Sequence, residues 1–86
     1  MVIWLLEDEE GQVMCAGNTL HAAKRAALKE GIVTQDSGLY CPQEDRCYTL
    51  QDFYGSHWPD VWMNFDEEQL ENMGFYSRKM TLEMEG

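Results

Sequence analysis

The sequence predicts an α+β fold in a single domain, 1–86, with a mainly antiparallel sheet of four or five strands packed against one main helix at 19–31 and a second short helix at 66–73. Three observations carry this expectation. Apolar or alternating runs of strand length recur near both ends and in the middle of the chain. Two segments carry helix start and stop signals. At 86 residues the chain holds one small core, and its 44% apolar content with three Trp is that of a folded domain rather than a disordered one.

In chain order, Val2 to Leu6 (VIWLL) is a short apolar run whose β-branched and aromatic content favours a strand covered on both faces. Glu7-Asp8-Glu9-Glu10-Gly11 follows; four adjacent carboxylates stay in water, and Gly11 permits a turn. Gln12 to Ala16 then returns as the second strand of a hairpin, with the acids at its tip.

The segment Thr19 to Gly31 (TLHAAKRAALKEG) reads as an amphipathic helix. Leu20, Ala23, Ala27 and Leu28 share one side, while His21, Arg25 and Lys29 recur on the other. Thr19 or Asn18 caps its start and Gly31 ends it. Lys24, Arg25 and Lys29 hold half of the six basic residues, and are expected to snorkel over the sheet edge and pair with the acidic hairpin.

Ile32-Val33-Thr34 can start a further strand, and Gln35 to Gly38 is a turn cluster. Leu39-Tyr40-Cys41 and Cys47-Tyr48-Thr49-Leu50 flank Pro42 to Arg46, which suggests two strands joined by a loop. That pairing would set Cys41 near Cys47 as reduced thiols, a disulfide or half of a metal site. Gly55 and Pro59 break the aromatic segment Phe53 to Trp62 into a loop with a single helical turn from Pro59. Trp58 and Trp62 either close the core or form a surface hot spot.

Asp66 to Met73 (DEEQLENM) has the grammar of a helix: Asp66 and Gln69 as a capping box, Phe65 and Leu70 as a staple, Glu67 and Glu68 in the first turn, Gly74 as the stop. Tyr76 to Glu85 alternates, with Met80, Leu82 and Met84 expected to face the core together with Leu5, Leu20 and Ala27.

Sixteen acidic residues face six basic ones, for a net charge of −10. Only the helix segment 19–31 is net positive. Such a field repels nucleic acid and anionic membranes and attracts basic protein surfaces. No apolar run approaches the roughly 20 residues that span a bilayer, and no basic region precedes the N-terminal apolar run as in a secretory signal. Three Cys, an odd number, do not imply a complete disulfide framework, which fits a reducing, cytoplasmic setting.

Chemistry has no motif here. Cys41 or Cys47 with His57 would be a nucleophile–base pair, but lacks a local signature. No Gly-rich phosphate loop is present. The carboxylates are too many for any one pair to suggest glycosidase-like chemistry. Cys15, Cys41, Cys47 and His57 could be drawn as a zinc set, but Cys-x5-Cys is not a usual knuckle. The expectation is a protein that is not an enzyme and holds no cofactor or metal.

The succession of strand, acidic turn, strand and a helix reading Thr19-Leu20-x-x-Ala23-Lys24-Arg25-x-Ala27 resembles the opening of small phage-encoded α+β proteins, including some anti-CRISPR proteins. The resemblance implies an inhibitor that binds rather than catalyses, often by occupying the basic nucleic-acid groove of a Cas protein. Toxin-immunity proteins, which cover the basic groove of a nuclease, are similar in size and charge. A self-associating assembly module of a phage or mobile element is the rival expectation. On the binding reading, the contacts fall to acids with no structural duty, Glu7, Asp8, Glu9, Glu10, Glu44 and Asp45, helped by Trp58 or Trp62.

Overall fold

In the computed structural model, which describes residues 1–82, the chain folds as β1 (Val2–Glu7), β2 (Val13–Gly17), α1 (Leu20–Lys29), β3 (Gly38–Cys41), β4 (Arg46–Thr49), α2 (Leu50–Tyr54), a 3-10 turn (Gly55–His57), α3 (Trp58–Met63), α4 (Glu67–Asn72) and β5 (Tyr76–Thr81). The α+β class holds. The single sheet of four or five strands does not: the strands divide into an antiparallel sheet of three, ordered β2-β1-β5, and a separate antiparallel hairpin, β3-β4. Central β1 pairs with β2 from Trp4–Gly17 to Leu6–Cys15, and a bulge then resets the register to Glu7–Val13.

Gly17 lets α1 lie tightly on the sheet. A Cβ built there would stand 2.6 Å from the Ala23 nitrogen and 2.8 Å from Ala22 atoms. Two residues later the helix is capped: Thr19 Oγ1 accepts from the Ala22 N–H at 2.9 Å. At its far end Gly31, at φ 72°, allows a Schellman closure in which Ile32 N–H donates to the Ala27 carbonyl at 2.9 Å and Gly31 N–H to that of Leu28 at 3.3 Å. Val33 N–H also reaches the Ala27 carbonyl. The expected strand at 32–34 is therefore absent: these amide groups finish the helix instead of joining a ladder, and Val33 drops into the core.

The core cluster runs from Leu6 and Cys15 on the sheet through Ala23 and Ala27 to Leu39, Leu50, Trp62, Phe65 and Leu70. Trp62 is fully buried, with edge-on contacts to Phe65 and Phe75 at ring distances of 5.8 and 5.6 Å. The aromatic segment is more helical than its Gly and Pro suggest. Thr49 caps α2, a 3-10 turn absorbs Gly55, and Pro59 sits in the first turn of α3, where its missing N–H costs nothing.

Helix α4 follows its sequence signals closely. Asp66 Oδ1 accepts from Gln69 N–H at 2.9 Å, and Gln69 Oε1 accepts from Asp66 N–H at 3.0 Å. Gly74, at φ 84°, and Phe75 close it, donating to the carbonyls of Glu71 and Leu70.

Two core expectations are inverted. Lys24 is only 4% exposed, and its Nζ donates to the backbone carbonyls of Met63 (3.2 Å) and Phe65 rather than to hairpin acids. On β5 the alternation is present but faces the other way. Trp4 and Leu6, which join the core, pair with Lys79 and Ser77, so Met80 and Leu82 lie on the outer face, each 37% exposed. Leu5 is buried on that outer face, away from Ala27, and Leu20 is half-buried. The remainder of the expected strand, 83–85, lies outside the described residues.

Candidate functional site

The acids divide by what the fold does with them. Glu7 is partly buried and its Oε2 lies 3.1 Å from Arg78 Nη2 on β5. Asp8 Oδ1 accepts from the N–H groups of Glu10 and Gln12, both at 2.9 Å, and so builds the hairpin turn. Asp45 accepts the Tyr40 hydroxyl at 2.6 Å, which pushes that phenol up. Glu44 Oε2 stands 3.6 Å from the Cys41 thiol. These four acids have local work after all. Glu9 and Glu10 are exposed at the hairpin tip and have no side-chain hydrogen bond or ion pair among the described residues.

Of the two tryptophans, expected either to close the core or to form a surface hot spot, Trp62 closes the core, and its indole N–H donates to the Lys24 carbonyl at 3.0 Å. Trp58 is half-buried and packs against the core edge. Cys41 and Cys47 are neighbours in sequence register but point to opposite faces of the β3-β4 hairpin, Cys41 buried and Cys47 exposed. That geometry rules out a disulfide between them or shared ligation. Cys15 is deep in the core, where its thiol donates to the Ala23 carbonyl at 3.3 Å. Burial, and then Glu30, push that thiol above its ordinary 9.0. Among the described residues no three His, Cys, Asp or Glu side chains converge as metal ligands would.

The fold adds what the linear sequence hides. Glu9 reaches across to the end of α4, its carboxylate 3.5 Å from where a Gly74 Cβ would sit. With Glu71 it borders a depression of about 430 Å³ whose wall includes Gly38, Tyr40 and Met73. A second depression, of about 300 Å³, continues along the same strand and helix, between Tyr40 and Pro42 on one side and Glu68 and Asn72 on the other. Both depressions contact Leu39, Tyr40 and Asn72 and no basic residue. Glu68 and Glu71 could not be joined to the hairpin from sequence, because only the close approach of Glu9 to Gly74 links them. Glu44 and Asp45 border neither depression.

A second surface has the opposite character. The outer face of the three-stranded sheet carries Ile3, Leu5, Met80 and Leu82, with Met1 and Val13 exposed beside them. Among the described residues its one charged contact is the Glu7–Arg78 pair. Among the described residues no helix is long and apolar enough to cross a membrane. Compared with known protein families, curated proteins and solved structures, the chain matches none.

Proposed function

We propose that this protein is a non-enzymatic, acidic inhibitor, phage-encoded and of the anti-CRISPR type, that works in the host cytoplasm by docking on the basic nucleic-acid-binding surface of a Cas protein or nuclease. The supporting observation is a net charge of −10 whose carboxylates are mostly left unpaired: among the described residues one ion pair forms, and Lys24 is buried rather than presented at the surface. Glu9 and Glu10, on a turn held rigid by Asp8, present carboxylates at low cost in conformational freedom. A field of this sign steers a basic groove into contact and competes with the phosphate backbone for it. No cofactor or metal is required. An immunity protein against a nuclease toxin would use the same physics.

The test is competition: purified Cas effector complexes and basic nuclease domains are loaded with labelled duplex DNA, and displacement by this protein is followed at low and high salt. Displacement at low salt that weakens as salt rises supports the reading. No displacement from any of them at either salt would sink it.

A second reading, a module that self-associates, is favoured by the uncovered apolar face of the sheet, which concentrates exposed Met1, Val13, Met80 and Leu82. It makes the opposite salt forecast, since apolar association is not weakened by screening.

A further inference from the structure

We propose that the free edge of β3, together with the depressions between it and α4, binds an extended basic peptide segment as an added strand. The inference rests on the reading of the protein as an acidic binder of a basic partner, and names the part of that partner it takes.

The first support is the edge itself. Among the described residues strand β3 pairs only with β4. Ser37 turns its carbonyl to β4, where it accepts from Leu50 N–H at 3.0 Å. By the two-residue alternation of an antiparallel ladder, Leu39 and Cys41 also face β4, and Gly38 and Tyr40 direct their N–H and C=O groups outward. Among the described residues these outward groups have no backbone partner beyond the strand pair. On the face of the strand a side chain also has room: a Cβ on Gly38 would meet nothing within 4 Å. Apart from the shortness of a four-residue strand, the usual guards of an exposed edge, an inward charge, a Lys, an internal Pro or a bulge, are missing from Gly38–Cys41.

The second support is the wall across the groove. Glu9, Glu68 and Glu71 are exposed there, without a hydrogen-bonding or ion-pairing partner among the described residues, while Tyr40, Pro42 and Met73 supply apolar contact. An incoming strand sends alternate side chains to one side about 7 Å apart. Lys or Arg at every second position would therefore meet successive carboxylates. Main-chain hydrogen bonds to Gly38 and Tyr40 give the affinity, and the carboxylates select the charge. An acidic or neutral segment would meet unscreened repulsion or bare carboxylates, so the occupant is basic.

The probe is the hexapeptide acetyl-Lys-Val-Lys-Val-Lys-Val-amide, titrated into the full chain labelled with 15N. Two further peptides carry N-methyl groups on alternate amides, one set on each edge of the strand. The expected result is saturable shifts of the Gly38 and Tyr40 amides with the parent peptide. One methylated peptide should weaken by about tenfold or more, and the other should bind like the parent, because only one edge faces β3. Glu68→Gln with Glu71→Gln, which touch no structural hydrogen bond, should weaken the parent by about tenfold through lost charge alone. Equal binding by both methylated peptides, shifts that bypass Gly38 and Tyr40, or no binding would each overturn the strand-addition proposal. Its failure is separable from that of the inhibitor reading. An effector still displaced from DNA while the peptide fails leaves only the groove wrong. A peptide bound at β3 with no effector displaced leaves only the inhibitor wrong.

Discussion

Lys24 and Trp62 hold each other in place: the Trp62 indole N–H donates to the Lys24 backbone carbonyl at 3.0 Å, while the Lys24 ammonium runs back past it to the carbonyls of Met63 and Phe65. The lysine thus satisfies carbonyls released at the end of α3, and α3 in turn is clamped onto α1. Burial lowers the Lys24 pKa, and Asp66 partly offsets this.

Lys24→Met should therefore destabilise by about 1–3 kcal/mol, since it leaves buried carbonyls without a donor. Arg25→Met, on the exposed side of the same helix, should stay within about 0.5 kcal/mol of wild type. Urea denaturation of both variants checks this contrast. Equal stabilities would mean that the ammonium contributes nothing.

Two glycines test how closely α1 approaches the sheet. Gly17→Ala should cost about 1–3 kcal/mol or more, because the new methyl would overlap the Ala22 and Ala23 backbone. Gly38→Ala, with open space and no left-handed backbone, should be nearly neutral. Thermal melts of the two variants side by side give the answer.

These same residues mark what the sequence makes legible. Helix ends are local, so Thr19, Gly31, Asp66, Gln69 and Gly74 could each be assigned from their immediate neighbours. The faces of β5 could not, because alternation gives a period and not a direction. Met80 and Leu82 look like core until β1 fixes their register, and then they share the uncovered side with Ile3. Likewise Lys24 looks like its neighbour Arg25 until the carbonyls of residues 63 and 65 come close, about forty positions away. The hairpin acids were legible as a turn. That Asp8 builds it, that Glu7 pairs with Arg78, and that Glu9 adjoins α4 are long-range or geometric facts.

Alkaline pH should erode stability. The Cys15 thiol, raised by burial and Glu30, and the Tyr54 phenol, raised by burial and Cys41, bind their protons more tightly folded than unfolded. Their contribution is complete below the unfolded values of 9.0 and 10.0 and is lost as pH climbs through the folded ones. Lys24, with its lowered pKa, acts in the opposite sense. Melting temperature should fall between pH 8.5 and 10.5 by about a few degrees, and Cys15→Ala should flatten the first part of that fall. An unchanged slope in the variant would show that the thiol does not titrate with unfolding.

Removing the α4 cap with Asp66→Ala should cost about 0.5–2 kcal/mol. Circular dichroism with denaturant reads it directly. Because Asp66 is also an acid beside the groove, this variant separates fold from charge: its loss should appear in stability as well as in any binding.

The most direct test of the central claim, that unpaired hairpin carboxylates steer the protein onto a basic surface, is the association rate of wild type and a Glu9→Gln, Glu10→Gln double variant with immobilised Cas effector complexes at two ionic strengths. Both acids are exposed and their carboxylates have no hydrogen-bonding or ion-pairing partner among the described residues, so the fold should be unchanged. The association rate constant of wild type should drop steeply with salt, that of the variant should be several-fold lower at low salt, and the dissociation rate constant should move little. Identical association rate constants for the two proteins at low salt, with matching circular dichroism spectra, would contradict the steering claim.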